Sequence, residues 1–199
     1  MPLRGSPLPR AFGLEGGAPA GLAKPVPGVP WLGLLRGHSI MSNRPDTAPT
    51  PVPDFVLHGR KVVGGVVEAE ALVTHERISG WGGIDPRTGT VIEIGHALRG
   101  QSFAGKVLVF PGAKGSSGWS AMFHTARLLK AAPAAFLFNE MTTKMALGAV
   151  VTHAPALTDF DRDPLACIET GDRVRVDAER GTVEVFKRPR AAHDGDPPA

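Results

Sequence analysis

The segment PGAKGSSGWSA, residues 111–121, contains the side chains of this sequence that are best suited to chemistry. Two adjacent serines, Ser116 and Ser117, follow Lys114 and lie among glycines at positions 112, 115 and 118. A serine hydroxyl can accept a proton, attack an electrophile or donate a hydrogen bond to an anion. A nucleotide-binding P-loop is excluded because a glycine separates the lysine from the serines. A nucleophile elbow is excluded because the Gly-x-Ser-x-Gly spacing is absent.

The elements on either side of this segment predict where the serines lie. Residues 105–110 (GKVLVF) form an apolar run of strand length, and apolar side chains recur at helical spacing over residues 117–131. The serines are therefore expected at the start of a helix, where free backbone N–H groups and the helix dipole favour an anion such as a carboxylate or a phosphate. Lys114 would add a full positive charge beside them. The alternative is that the serines only cap the helix.

The remaining patterns predict an α/β domain whose sheet is partly parallel, because strands alternate with helices. Strands are expected at residues 64–73, 90–94, 134–138 and 149–151, and a turn-rich loop at residues 79–89. A short helix is expected over residues 141–148, with Thr142 or Thr143 as its N-cap and Gly148 as its stop. Residues 173–177 and 182–186 alternate in period 2 and predict an antiparallel hairpin.

Composition divides the chain into three segments. Most of the 19 prolines lie in residues 1–53, which predict a disordered Pro/Gly-rich leader, with Met41 as a candidate for the true start of translation. Residues 54–187 predict the folded domain, and residues 188–199 a disordered tail. The alternative to a start at Met41 is that the whole leader is translated and forms a disordered arm.

Charge and cysteine content narrow the class of function. The net charge is +3, but basic and acidic residues are mixed and tyrosine is absent, which disfavours nucleic-acid binding. No apolar run is long enough to span a membrane. Because Cys167 is the single cysteine, the chain cannot form a disulfide framework or an iron-sulfur site of its own. These features predict a cytoplasmic protein.

Several motifs together resemble the small, swivelling-domain subunit of the aconitase X family. They are WGGIDPRTG, GAKGSSGWSA, FNEMTTKMALGAVV and DPLACIETGDRVRVD, and they cover residues 59–186. The resemblance implies a three-layer β/β/α swivelling domain similar to the fourth domain of aconitase. It also implies a large partner subunit that holds an iron-sulfur cluster, and a dehydration reaction.

The resemblance assigns roles to individual residues. Ser116 would be the proton acceptor, removing the proton from the carbon next to the substrate carboxylate, while iron in the partner polarises the leaving hydroxyl. Substrate contacts are expected from Ser117, Lys114, Gly115, Gly83 and Asp85. The loop that begins at Trp81 would face the active site or the large subunit, with a hydrophobic plug as the alternative for Trp81. Trp119 departs from the family's serine motif and is expected to alter the pocket.

The predicted function is the small subunit of a heteromeric hydro-lyase that dehydrates cis-3-hydroxy-L-proline. That substrate is preferred because no cluster of basic residues surrounds the serines to bind a phosphate. The alternatives are the small subunit of a mevalonate 5-phosphate dehydratase and a non-catalytic swivelling module that binds a ligand. Replacement of Ser116 by alanine separates these classes, because only a hydro-lyase would lose its function.

Overall fold

A computed structural model describes residues 51–188 of the 199-residue chain. The predicted leader, the proposed start at Met41 and all but the first residue of the predicted tail lie outside the described residues. Strands and helices alternate from residue 113 to residue 177, in agreement with the predicted α/β class. Three helices are present among the described residues: α1 at Gly118–Leu128, α2 at Thr143–Thr152 and the short α3 at Pro164–Cys167.

Twelve strands are present in the same part of the chain. In chain order they are β1 Phe55–His58, β2 Arg60–Val63, β3 Val66–Val73, β4 Ile78–Ser79, β5 Ile84–Asp85, β6 Thr90–Val91, β7 Val107–Phe110, β8 Ala113–Lys114, β9 Ala135–Phe138, β10 Ala156–Thr158, β11 Arg173–Asp177 and β12 Thr182–Phe186. Eight of them form one mixed sheet in the order β1-β12-β11-β3-β7-β9-β10-β2. The short pairs β4-β8 and β5-β6 form two further small sheets.

The long strand β3 connects two halves of the main sheet. Its first part pairs antiparallel with β11, with Val66 opposite Asp177, and its last part pairs parallel with β7, with Val73 opposite Val109. Strands β7, β9 and β10 continue the parallel half, and the predicted hairpin of β11 and β12 continues the antiparallel half. All four residues of both β7 and β9 are buried, which explains why these strands are continuous apolar runs in the sequence.

Two apolar cores cover the two faces of the parallel half. On one face, Phe110 and Phe136 pack with Trp119 and Phe123 of α1 and Met145 of α2. On the other face, Val107, Val109 and Leu137 belong to a cluster that includes Val174 and Val176 of β11 and Val183 and Val185 of β12. Helices, parallel strands and antiparallel strands therefore form the predicted three-layer β/β/α arrangement.

Three local predictions are wrong. The strand expected over residues 90–94 is limited to Thr90–Val91. The helix expected to stop at Gly148 continues to Thr152, so the strand expected at residues 149–151 is helical. Gly148 is buried against the indole of Trp119 and serves close helix packing rather than helix termination. Thr142 is the N-cap, as predicted, and its hydroxyl accepts a hydrogen bond from the Met145 N–H at 3.4 Å.

Candidate active site

The serine loop, residues 115–117, joins β8 to α1. Gly115 has a φ of +84°, a left-handed conformation that glycine adopts without strain and that turns the chain from the strand into the helix. Gly115, Ser116 and Ser117 are all exposed. The predicted order of strand, glycine turn and helix is therefore present, and both hydroxyls lie on the surface at the beginning of α1.

Ser116, rather than Ser117, hydrogen-bonds to the start of the helix. The Gly118 N–H donates to Ser116 Oγ at 3.3 Å, whereas Ser117 makes no side-chain cap although it is the residue before α1. One donor therefore points at the Ser116 oxygen, and this favours a negative charge on it. Ser120, one turn further on, is buried and its hydroxyl donates to the Ser117 carbonyl at 3.1 Å.

Lys144, in the first turn of α2, contacts the serine loop directly. Its Nζ donates a hydrogen bond of 2.6 Å to the carbonyl oxygen of Gly115. The contact fixes the peptide that precedes Ser116 and places an ammonium group beside it. Since residues 115 and 144 are far apart in the sequence, no local pattern reveals this contact.

A groove of about 330 Å³ opens between the first turns of α1 and α2. Its lining comprises Ser117, Ser120, Thr142, Thr143, Lys144 and Leu147. Its volume lies in the range of pockets that bind small molecules. The structure therefore provides space for a small ligand beside the serine loop.

Lys114 forms an ion pair that the sequence analysis did not predict. Its Nζ lies 2.5 Å from Glu93 Oε1, so its charge is compensated. Burial acts to raise the pKa of Glu93, but Lys114 and, to a smaller extent, Ser79 lower it below its ordinary value. The second oxygen, Oε2, is buried without a hydrogen-bond partner among the described residues. The positive charge expected from Lys114 beside the serines is therefore compensated by Glu93.

The turn-rich loop lies against the serine loop because β4 pairs with β8, with Ser79 opposite Lys114. Within it, the Gly83 carbonyl accepts hydrogen bonds from Ile92 N–H at 2.8 Å and Glu93 N–H at 3.2 Å. A Cβ on Gly83 would lie only 2.3 Å from the Ser79 carbonyl oxygen, so this close approach requires glycine. Gly83 therefore closes the loop and places Glu93 within reach of Lys114.

Asp85 and Trp81 occupy different environments in this loop. The Asp85 carboxylate accepts hydrogen bonds from the Arg87 guanidinium at 3.1 Å and from the Arg87 backbone N–H at 3.0 Å, and both lower the pKa of Asp85. Asp85 thus forms a turn with Arg87. The Trp81 side chain is 76% exposed, so the alternative of a hydrophobic plug is wrong.

Trp119 is a core residue and does not line the groove. Its indole is fully buried, stacks on Phe123 with ring centroids 4.2 Å apart, and donates from Nε1 to the Ile78 carbonyl at 3.0 Å. The expectation that it alters the pocket is wrong, because the helix turns this side chain towards the sheet.

The described residues contain no metal centre of their own. Within residues 51–188, no group of three or more His, Cys, Asp or Glu side chains could hold a metal ion. Cys167 is partly buried and packs against the core between the two halves of the sheet. The same part of the chain has no helix that is long and apolar enough to cross a membrane.

A family model described as the aconitase X swivel domain matches residues 56–185. The chain belongs to this family. The match covers the whole three-layer fold and both loops of the candidate site, and it confirms the resemblance inferred from the motifs.

Relatives of this swivel domain include archaeal proteins of similar length to its folded part. A protein named phosphomevalonate dehydratase small subunit from Thermococcus kodakarensis is 40% identical over 131 residues, which are 66% of this chain and 96% of that protein. The protein of the same name from Methanosarcina mazei is 38% identical over 130 residues, which are 65% of this chain and 90% of that protein.

Two solved structures are similar to the swivel domain. The crystal structure of aconitase X from Thermococcus kodakaraensis in its holo form has a TM-score of 0.63 and 40% identity, with 66% of this chain and 98% of that chain covered. The solution NMR structure of a UPF0107 protein has a TM-score of 0.62 and 39% identity, with 67% and 100% covered. Fold and sequence therefore lead to the same family.

Proposed function

We propose that this swivel domain is the small subunit of an aconitase X type dehydratase, in which Ser116 accepts the proton released by the substrate. The relatives are named as dehydratase small subunits, which supports a hydro-lyase that acts with a large subunit. The observation on which the proposal rests is the serine loop. It presents an exposed hydroxyl at the start of α1, accepts one backbone N–H and is in contact with Lys144.

The chemistry of a serine base requires a stabilised alkoxide. A hydroxyl has little tendency to ionise at neutral pH, so positive potential is needed where the charge develops. The start of α1 supplies it through the helix dipole and the Gly118 N–H, and Lys144 supplies a full charge one peptide away. Lys114 contributes less because Glu93 compensates its charge.

In this mechanism the swivel domain orients the substrate and moves one proton. The groove between α1 and α2 receives the part of the substrate near the carboxylate, and Ser117 and Lys144 at its rim are available to hydrogen-bond it. The Ser116 alkoxide then takes the proton from the carbon next to the carboxylate, and the carbon–oxygen bond of the neighbouring carbon breaks as the double bond forms. The departing hydroxide takes up a proton to become water, and Ser116 releases the proton it holds, so the net products are the unsaturated acid and one water. Substrate contacts from Lys114, Gly115, Gly83 and Asp85 remain proposals.

We assign the iron-sulfur cluster to the large subunit. The full sequence contains one cysteine, and Cys167 lies in the second core rather than at the serine loop. The cluster's part in the reaction therefore belongs to the large subunit. A cytoplasmic location remains a prediction from the cysteine content.

Mevalonate 5-phosphate is the first substrate to test, because several relatives at about 40% identity have names that specify it. cis-3-Hydroxy-L-proline is the second candidate, and one observation favours it. Arg77 is bound by both oxygens of Glu140, and Lys114 is bound by Glu93. Because carboxylates compensate both cations, neither is free to bind a phosphate dianion. Both compounds are β-hydroxy acids, so the proposed role of Ser116 is the same.

The proposal is tested by anaerobic co-expression of this chain with its cognate large subunit, followed by assays with both substrates. We expect Ser116→Ala to lower kcat about 10²- to 10⁴-fold, the range for a general base. Ser117→Ala is the matched control, since it removes the neighbouring hydroxyl and should act mainly on KM. A Ser116→Ala complex with wild-type turnover would refute the proposal and favour the non-catalytic module.

The two lysines provide a second test. Lys144→Met should lower kcat about tenfold or more and move the ascending limb of the pH profile to higher pH, because loss of a nearby cation raises the pKa of the serine hydroxyl. Lys144→Arg should restore much of the rate. Lys114→Met should have the smaller effect. Equal losses in both methionine variants, without a shift of the pH profile, would contradict the role of Lys144.

A further inference from the structure

The side of the domain that bears the serine loop also exposes large apolar side chains. Trp81 is 76% exposed, Ile94 is 83% exposed and Ile92 is 45% exposed. Soluble monomers rarely expose several large apolar side chains around one site, and such groups usually mark an interaction surface. Tryptophan in particular is enriched among the residues that dominate binding energy at protein interfaces.

Trp81 lies close to Ser116. A Cβ on Gly118, the first residue of α1, would lie 3.9 Å from Cε3 of Trp81 and 3.4 Å from Oγ of Ser116. The indole of Trp81 therefore borders the first turn of α1.

Backbone and ion-pair contacts hold the segment that contains Ile92 and Ile94 near Lys114. The Ile92 N–H binds the Gly83 carbonyl, and Glu93, between the two isoleucines, is ion-paired with Lys114. We define Trp81, Ile92 and Ile94 as the apolar rim of the serine loop.

We propose that this apolar rim is the docking surface for the large subunit of the dehydratase, with Trp81 inserted into an apolar pocket of that subunit. The inference rests on the proposed function. A base on an exposed loop reacts only with a substrate that another surface presents to it, so the partner must approach Ser116 from this side. Apolar side chains around the loop then exclude water from the contact, as the centres of protein interfaces do.

The exposed side chain of Leu128 in the helix layer does not fit this role as well. Leu128, at the end of α1, is 65% exposed, and it lies at the opposite end of the helix from Ser116. An 11-residue helix is roughly 16 Å long, so a partner that covers Ser116 need not reach Leu128. Leu128 therefore offers a matched control of similar exposure and polarity.

The test uses the co-expressed complex. The dissociation constant of the two subunits is measured by dilution with mass photometry for wild type, Trp81→Ser, Ile94→Ser and Leu128→Ser. We expect Trp81→Ser to weaken the complex about thirtyfold and Ile94→Ser about fivefold, with Leu128→Ser within about twofold of wild type. Because the contact is apolar, the wild-type affinity should change little between low and high salt.

The outcomes separate this inference from the proposed function. Unweakened complexes of Trp81→Ser and Ile94→Ser, or a stronger effect of Leu128→Ser, would overturn the docking surface while leaving the role of Ser116 intact. A wild-type complex that forms normally but dehydrates neither substrate would instead overturn the proposed function. Excess large subunit should restore the turnover of Trp81→Ser, because the variant is impaired in association and not in chemistry.

Discussion

Replacement of Gly148 by alanine should have two opposing effects on the stability of the fold, and the size of each is known. Gly148 lies inside α2, where alanine is intrinsically favoured over glycine by about 1 kcal/mol. The structure predicts the reverse, because an alanine Cβ would lie 2.2 Å from Cζ3 and 2.7 Å from Cε3 of Trp119. Carbon atoms in contact are separated by about 3.5 Å or more, so α2 would have to move by roughly 1.3 Å.

The movement is costly because Trp119 is fixed on several sides. It is fully buried, hydrogen-bonded to the Ile78 carbonyl and stacked on Phe123. Overpacking of a well-packed core costs about 1–3 kcal/mol, and this site belongs at the upper end. After subtraction of the propensity gain, Gly148→Ala should lower the free energy of unfolding by about 2 kcal/mol, a fall in Tm of roughly 5–10 °C.

The assay is thermal and urea denaturation followed by circular dichroism. Leu147→Ala, next to Gly148 and 49% exposed in the wild type, is the control and should change stability by less than about 1 kcal/mol. In a Trp119→Phe background, which removes the outer part of the indole, the penalty for Gly148→Ala should shrink or vanish. A higher Tm for Gly148→Ala in the wild-type background would refute the packing argument.

Two further predictions concern ion pairs. The pKa of Glu93 lies below its ordinary value of 4.5, so its ionised form stabilises the fold above that pH, and the effect disappears as the pH falls through the lower folded-state pKa. Glu93→Gln should therefore cost stability at pH 7, with a difference from wild type that shrinks below about pH 4 in urea titrations. Lys187 lies 2.9 Å from the buried carboxylate of Asp172, so Lys187→Met should cost about 1–3 kcal/mol because a buried charge loses its partner. Lys61→Met, which breaks an exposed ion pair, should cost less than about 1 kcal/mol in the same denaturation assay. Equal losses of stability in Lys187→Met and Lys61→Met would contradict this account.

Sequence patterns alone were enough to predict elements that depend on near neighbours. The hairpin of β11 and β12 follows from alternating residues on either side of a turn, and its predicted bounds are those of the structure. The buried strands β7 and β9 and the glycine turn before α1 were predicted for the same reason, because each is determined within a few residues. The motif WGGIDPRTG with GAKGSSG was sufficient to identify the family.

Contacts between distant segments were decided by the tertiary structure. Glycine often ends a helix, so the sequence predicts that α2 stops at Gly148. The helix continues through this position because the packed indole of Trp119 leaves no space for a side chain there. The sequence predicts a positive charge from Lys114 beside the serines, and the backbone hydrogen bonds of Gly83 bring Glu93 close enough to compensate that charge.

The active site also combines features that local sequence determines with contacts that only the tertiary structure provides. Local sequence determined that Ser116 stands on a glycine turn at the beginning of a helix. The charge beside it comes from Lys144, which is distant in sequence and reaches Gly115 only because α1 and α2 pack side by side on the sheet. Local interactions act within a few residues and leave a pattern in the sequence, whereas an ammonium group on a neighbouring helix acquires its partner only when the layers assemble.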